Sequence, residues 1–104
     1  MGYIVVLCTC SREEADGMAE TLTGEGLVAC VNMVEVKSVF RWKGSMEKEN
    51  EILLIMKSTE DRWQDIKKRI KEIHSYETPE IIALPVKDGL DKYLRWIDGA
   101  VGEK

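Results

Sequence analysis

Several features that mark large classes of proteins are scarce or missing in this chain of 104 residues. It has three cysteines and one histidine, and an odd number of cysteines without regular spacing does not form a disulfide framework. We therefore expect reduced thiols. No apolar run approaches the roughly 20 residues that a membrane-spanning helix requires, so we expect no membrane association.

The N-terminal segment also lacks the basic region that opens a signal peptide, since Met1 and Gly2 lead directly into an apolar, strand-like pattern. This favours a cytoplasmic protein. Acidic residues outnumber basic ones by 19 to 15, which gives a formal charge of −4. Nucleic acids are bound mainly by cationic surfaces, so we expect no nucleic-acid partner.

Enzyme signatures are missing as well. The sequence has no G-x-S-x-G, H-E-x-x-H, P-loop or Rossmann glycine motif. A nucleophile pair of Cys8 and His74 is conceivable, but neither residue has a visible activating neighbour. We therefore expect a protein that is not an enzyme.

What the sequence does contain is an alternation of strand-like and helix-like segments. Tyr3–Cys10 is almost entirely apolar, which predicts a central strand buried on both faces. Ser11, with Glu14 three residues later, predicts the capped start of a first helix. A long strand over Leu27–Trp42 and a returning strand from Ser45 to Ser58 flank a tight turn at Lys43 and Gly44.

A second helix is predicted from Ser58 or Thr59 to His74, with an apolar stripe every three or four residues. A fourth strand follows over Glu80–Val86, and Pro85 places it at an edge or a bulge. Asp88 is predicted to cap a last helix whose inward residues are Leu90, Tyr93, Leu94 and Ile97. The order predicts one α+β domain over residues 1–104. We expect a ferredoxin-like βαββαβ sandwich with a long central hairpin and an extra C-terminal helix.

The predicted hairpin is long for so small a protein. Leu27–Trp42 would span roughly 50 Å when extended, whereas a compact domain of this size is about 33 Å across. The hairpin must therefore bend or project, and its end carries Phe40, Trp42 and Met46. Because exposed aromatic residues on a projecting hairpin favour aggregation, we predict that Phe40 and Trp42 contact a neighbouring subunit.

Two sets of side chains are candidate metal ligands. Cys8 and Cys10 lie on one face of the first strand, where they could bind a soft metal ion or simply be buried small residues. His74 is either a ligand or a surface imidazole stabilised by the end of a helix. Glu47, Glu49 and Glu51 alternate along the returning strand and could hold a hard cation or form a solvated face.

Six blocks of sequence follow one another over nearly the whole chain. The most specific is the run Tyr76-Glu77-Thr78-Pro79-Glu80-Ile81-Ile82-Ala83-Leu84-Pro85. The others are Val6-Leu7-Cys8-Thr9, Leu27-Val28-Ala29-Cys30-Val31-Asn32, Arg41-Trp42-Lys43-Gly44, Leu54-Ile55-Met56-Lys57 and Tyr93-Leu94-Arg95-Trp96-Ile97. Together, in this order and without a gap, they resemble the CutA family of divalent-cation tolerance proteins.

The resemblance implies a homotrimer of ferredoxin-like subunits, with a topology similar to the PII signalling proteins. It also implies a role in tolerance to divalent cations, copper above all, with copper or another divalent metal ion as a non-obligatory ligand. The metal ligands implied for this chain are Cys8 and His74. His74 matches the second histidine of a family His-His pair, Ile73 stands where the first would be, and Ser75 replaces a common proline, so one implied ligand is missing.

An alternative function also follows from the resemblance. In such a trimer the polar residues Arg41, Lys57, Tyr76 and Glu80 would line clefts between subunits. These clefts would bind a small anion or metabolite in a PII-like sensor or scaffold, or the residues would form ordinary hydrogen bonds between subunits.

Overall fold

The structure is a computed structural model that describes residues 2–102. Within that range, four antiparallel strands form the sheet. The strands are β1 (Tyr3–Cys10), β2 (Cys30–Trp42), β3 (Ser45–Thr59) and β4 (Ile81–Pro85), and their order in the sheet is β2-β3-β1-β4. Every neighbouring pair is antiparallel, so β1 and β3 are central. β4 lies at an edge, as Pro85 predicts.

The helices follow the predicted order. They are α1 (Arg12–Gly24), α2 (Trp63–Ile73), which follows a 3-10 turn at Glu60–Arg62, and α3 (Asp91–Ala100). The ferredoxin-like arrangement with an added C-terminal helix is confirmed. Among residues 2–102, no helix is both long and apolar enough to cross a bilayer.

The core lies between one face of the sheet and helices α1 and α2. Alternate residues of β1 point into it, and each stands opposite an inward residue of β3, as Val6 does opposite Met56. The fully or nearly fully buried residues of this core include Ile4, Val6, Cys8, Cys10, Met18, Leu22, Leu54, Met56, Ile66 and Ile70. Burial alternates along β1, so the prediction that this strand is buried on both faces is wrong.

The other face of the sheet is apolar and only partly covered. α3 lies against one end of it, where the Tyr3 hydroxyl donates a hydrogen bond of 2.5 Å to Asp98. Away from that end, Val34, Ile82 and Leu84 remain 46–47% exposed. We refer to this surface as the open face.

Several boundaries and orientations differ from the sequence prediction. β2 begins at Cys30 rather than Leu27, because residues 25–29 turn out of α1 first. α2 begins at Trp63, after the 3-10 turn, and β4 is limited to Ile81–Pro85.

The last helix differs in its start and in its inward face. Its N-cap is Leu90, so the prediction that Asp88 caps it is wrong. In α3 only Ile97 is buried, whereas Leu90, just before the helix, is 74% exposed and Tyr93 is 41% exposed, so the prediction that both face inward is wrong.

The β2–β3 hairpin extends the molecule in one direction. It pairs from Cys30 opposite Lys57 to Trp42 opposite Ser45, and the longest dimension of the chain is 44 Å. The predicted tight turn is confirmed, since Lys43 and Gly44 have positive φ angles of 50° and 84°. Two such residues match the right-handed twist of the strands they join.

Candidate functional site

His74 ends α2 and is buried in a fully hydrogen-bonded position. Its Nε2 atom is 2.8 Å from the carbonyl oxygen of Thr9, and its Nδ1 atom accepts a 3.0 Å bond from the amide of Tyr76. Because Nδ1 accepts, Nε2 carries the proton and donates to Thr9. The side chain has no exposed surface, so the expectation of a surface imidazole is wrong.

Cys8 meets His74 at the same carbonyl oxygen. Its buried thiol donates to the Thr9 carbonyl oxygen over 3.6 Å, so both predicted ligands contact the same oxygen atom. Burial, and next the neighbouring Cys10, raises the pKa of the Cys8 thiol to about 12. Burial likewise raises the pKa of Cys10 to about 11. Both thiols are therefore protonated at neutral pH.

Glu14 fixes the segment that carries His74. One carboxylate oxygen, Oε1, accepts bonds from the Ser11 amide at 3.3 Å and the Ser75 hydroxyl at 3.0 Å, and Oε2 accepts the Ser75 amide at 3.3 Å. The Ser11 contact confirms the predicted helix start. The same Oε1 lies 3.7 Å from His74 Nδ1, which places a carboxylate beside the imidazole atom that faces away from Thr9.

The donor set of Cys8 and His74 fits a soft metal ion of low coordination number. One thiol and one imidazole suit ions such as Cu(I), whereas structural zinc sites normally need four ligands. Within residues 2–102, no group of three or more His, Cys, Asp or Glu side chains is arranged to hold a metal. A carboxylate next to the imidazole, as Glu14 is here, commonly orients a metal-binding histidine.

A second feature, which we call the acidic cleft, lies between the outer half of the hairpin and residues 76–78. It has a volume of about 540 Å3, and its walls include Phe40, Trp42, Glu49, Glu51 and Tyr76. Glu51 is only 7% exposed and accepts a 2.7 Å bond from the Tyr76 hydroxyl. Burial and this bond raise the pKa of Tyr76. The alternative of a fully solvated glutamate face is therefore wrong at Glu51.

The aromatic residues of the hairpin are partly covered within one chain. Phe40 is 40% and Trp42 39% exposed, because both line the acidic cleft, whereas Met46 at the end of the hairpin is 65% exposed. Contact of Phe40 and Trp42 with a neighbouring subunit stays a prediction.

The four polar residues predicted to line clefts between subunits lie in different places. Lys57 donates through its ammonium group to Asn32, and Tyr76 lies in the acidic cleft. Arg41 stands near the end of the hairpin, opposite Met46, and Glu80 is exposed just before β4. Their meeting across subunits stays a prediction.

Known proteins of one family match this chain in sequence and in fold. The family model described as CutA1 divalent ion tolerance protein matches residues 4–100. This chain belongs to that family. Relatives called divalent-cation tolerance protein CutA include one from Pyrococcus horikoshii, 40% identical over 82% of this chain and 83% of the relative. Another is from Thermus thermophilus, 39% identical over 93% of this chain and 95% of the relative.

Solved structures of the family agree closely with the fold. CutA1 from Oryza sativa has a TM-score of 0.94 and 37% identity, covering 100% of this chain and 97% of that chain. The periplasmic divalent cation tolerance protein CutA from Archaeoglobus fulgidus has a TM-score of 0.93 and 37% identity, covering 95% and 98%. The predicted family membership and fold are both confirmed.

Two residues that shape the site of this family member were not predicted. Thr9 acts through its backbone carbonyl, which no side-chain pattern reveals. Glu14 was assigned only to the start of α1. A signal for its second role is its position on the first turn of a helix that directly follows β1, because this places Glu14 at the same end of the sheet as Cys8 and Cys10.

Proposed function

We propose that this chain acts in tolerance to divalent cations, as a cytoplasmic homotrimer that binds copper or another metal ion that prefers sulfur and nitrogen ligands. The observation that carries the proposal is the convergence of Cys8 Sγ and His74 Nε2 on the carbonyl oxygen of Thr9. Support also comes from the relatives, whose names refer to divalent-cation tolerance.

Metal binding at this pair requires two proton movements. The Cys8 thiol must lose its proton, which its raised pKa opposes. His74 must also free Nε2, so its proton moves to Nδ1, which then loses the bond from the Tyr76 amide and faces Glu14 instead. When bound, the metal supplies the positive charge that stabilises the thiolate.

The two proton movements predict that the affinity for metal ions rises with pH, because the ion displaces a proton from Cys8. They also predict that Glu14 positions the imidazole once Nδ1 is protonated. Replacing such a supporting carboxylate typically weakens metal binding by about 10- to 100-fold. A buried, protonated thiol is more consistent with a binding role than with a catalytic role, since reactive cysteines have lowered pKa values.

The proposed trimer is supported by the open face and by β2. Val34, Ile82 and Leu84 leave an apolar surface of the sheet uncovered, and apolar patches of this kind commonly mark interfaces between subunits. β2 is an edge strand of 13 residues, whose free backbone groups favour pairing with another chain.

Competition with a chromogenic Cu(I) chelator under reducing conditions tests the metal proposal. We expect wild-type protein to remove Cu(I) from the chelator, and Cys8→Ser and His74→Gln to do so much less. Cys30→Ser is the matched control, because Cys30 lies on β2, away from His74, and its thiol neighbours Lys57 at 3.9 Å. Equal competition by all four proteins would refute the assignment of Cys8 and His74.

A further inference from the structure

Tyr76 contacts His74 through its backbone and the hairpin through its side chain. Its amide donates to His74 Nδ1 over 3.0 Å, and its ring lies 4.5 Å from the imidazole ring, measured between centres. Its hydroxyl donates to Glu51 of β3 over 2.7 Å. One residue therefore joins the end of α2 to the hairpin, so a displacement of its backbone by His74 also moves the hydroxyl that holds Glu51.

The two contacts of Tyr76 lie on opposite sides of the sheet. His74 ends α2, which packs on the core side. Glu51 stands two residues before Leu53, which pairs with Val34 of the open face, so Glu51 belongs to that face. Tyr76 thus connects the Cys8–His74 site to the surface that we propose as the contact between subunits.

His74 has two sets of hydrogen bonds that exclude each other. With its proton on Nε2, the Nδ1 atom accepts the Tyr76 amide; with its proton on Nδ1, it can only donate, and Glu14 Oε1, 3.7 Å away, is placed to accept. Shortening that distance to a normal charge-assisted bond requires a movement of about 0.8 Å. The imidazole ring therefore moves toward Glu14 as the Tyr76 amide loses its acceptor.

The segment that responds has no helical or strand structure of its own. Residues 74–80 lie between the end of α2 and the start of β4. Among the bonds that hold this segment are the one from the Ser75 hydroxyl to Glu14 at 3.0 Å and the one from Tyr76 to Glu51. A backbone amide without an acceptor is unfavourable, so the backbone at Tyr76 shifts until its amide finds water or another acceptor.

We propose that Tyr76 transmits the state of the Cys8–His74 site to the hairpin. When His74 turns Nδ1 from the Tyr76 amide to Glu14, Tyr76 withdraws, its hydroxyl leaves Glu51, and the hairpin loosens at the open face. Metal binding requires this turn, so it and the Tyr76–Glu51 contact weaken each other. The inference rests on the proposed function and describes the regulation of that site.

Hydrogen exchange in the metal-free protein tests the connection without any ligand. His74→Gln keeps a donor near the position of Nε2 but lacks the Nδ1 acceptor, so the Tyr76 amide loses its partner as it does in the turned arrangement. We expect exchange to become severalfold faster at Tyr76 and at residues 49–53, and to stay unchanged in the central strand β1. Faster exchange at Tyr76 alone would mean that the hairpin does not respond, which overturns the proposal.

Tyr76→Phe is the matched second variant, since it keeps the amide and the ring but lacks the hydroxyl. If His74 acts on the hairpin through that hydroxyl, the double variant with His74→Gln should exchange at residues 49–53 as Tyr76→Phe alone does. A further increase in the double variant would mean that His74 acts by another route or loosens the whole fold, and it would also overturn the proposal.

Competition with the Cu(I) chelator gives the reciprocal measurement. Tyr76→Phe should bind Cu(I) about tenfold more tightly than the wild type, because the site no longer has to break the bond to Glu51. Tyr3→Phe is the control, since it removes a hydroxyl–carboxylate bond to Asp98 at the other end of β1, and its affinity should be unchanged. Equal or weaker binding by Tyr76→Phe would contradict the coupling. If none of these proteins binds Cu(I), the proposed function fails, and hydrogen exchange alone decides whether Tyr76 connects His74 to the hairpin.

Discussion

The contact between Tyr76 and Glu51 joins the segment after α2 to the hairpin, and its removal should be measurable. The Tyr76 hydroxyl donates over 2.7 Å to a carboxylate that is 7% exposed. Hydrogen bonds to charged groups contribute about 1.5–3 kcal/mol. Tyr76→Phe leaves that carboxylate without its donor, so we expect a loss of about 1.5–3 kcal/mol in the free energy of unfolding.

A double-mutant cycle with Glu51→Gln isolates this contact from other effects of the substitution. Because the neutral amide accepts a weaker bond, Tyr76→Phe should cost about 1 kcal/mol less in the Glu51→Gln background. Urea denaturation at one fixed protein concentration is the assay, since the stability of an oligomer depends on concentration. Tyr3→Phe, which removes an exposed bond to Asp98, should have a smaller effect. Equal losses in both backgrounds would refute the claim that the Tyr76 hydroxyl stabilises the Glu51 carboxylate.

Three further predictions concern the core and the assembly. The thiols of Cys8 and Cys10 have pKa values of about 12 and 11 in the folded chain, so they keep their protons at a pH where the unfolded chain has lost them. The free energy of unfolding should therefore fall as the pH rises above about 9, by up to about 1.4 kcal/mol per pH unit for each thiol. Cys8→Ala should make that slope shallower in urea titrations, and an unchanged slope would contradict the assignment. Ile70→Ala should cost about 2–5 kcal/mol of stability because Ile70 is fully buried, whereas Ile82→Ala on the open face should act mainly on assembly. Trp42→Ala should weaken the trimer by about 2–4 kcal/mol per buried aromatic site, and a light-scattering mass of one subunit for the wild type would contradict the trimer itself.

The sequence predicted those parts of the fold that depend on neighbouring residues. Ser11 and Glu14 lie three residues apart, and Lys43 and Gly44 are adjacent, so local chemistry alone determines that helix start and that turn. Ile66 and Ile70 are buried as their helical spacing predicts. The failures occur where burial depends on distant parts of the chain.

Leu90 and Tyr93 illustrate one such failure. Their spacing is correct for an inward face of α3, but this helix meets only one end of the open face, so most of its apolar side remains exposed. Because Leu90 and Tyr93 are exposed, they are available for contact with another subunit.

The candidate sites show the same limit. The family resemblance implies Cys8 and His74 as metal ligands, which stays a prediction. It does not reveal Thr9, which is 65 residues away from His74 and contributes only a carbonyl group. Glu51 looked like one member of a solvated glutamate series, because Tyr76, which buries it, is 25 residues away.

A copper-soaked crystal with anomalous diffraction data tests the central claim most directly. The account predicts a copper peak bonded to Cys8 Sγ and His74 Nε2, with the Nδ1 atom of His74 turned from the Tyr76 amide to Glu14. A peak confined to the acidic cleft, or no peak at a copper concentration that saturates binding in solution, would contradict it.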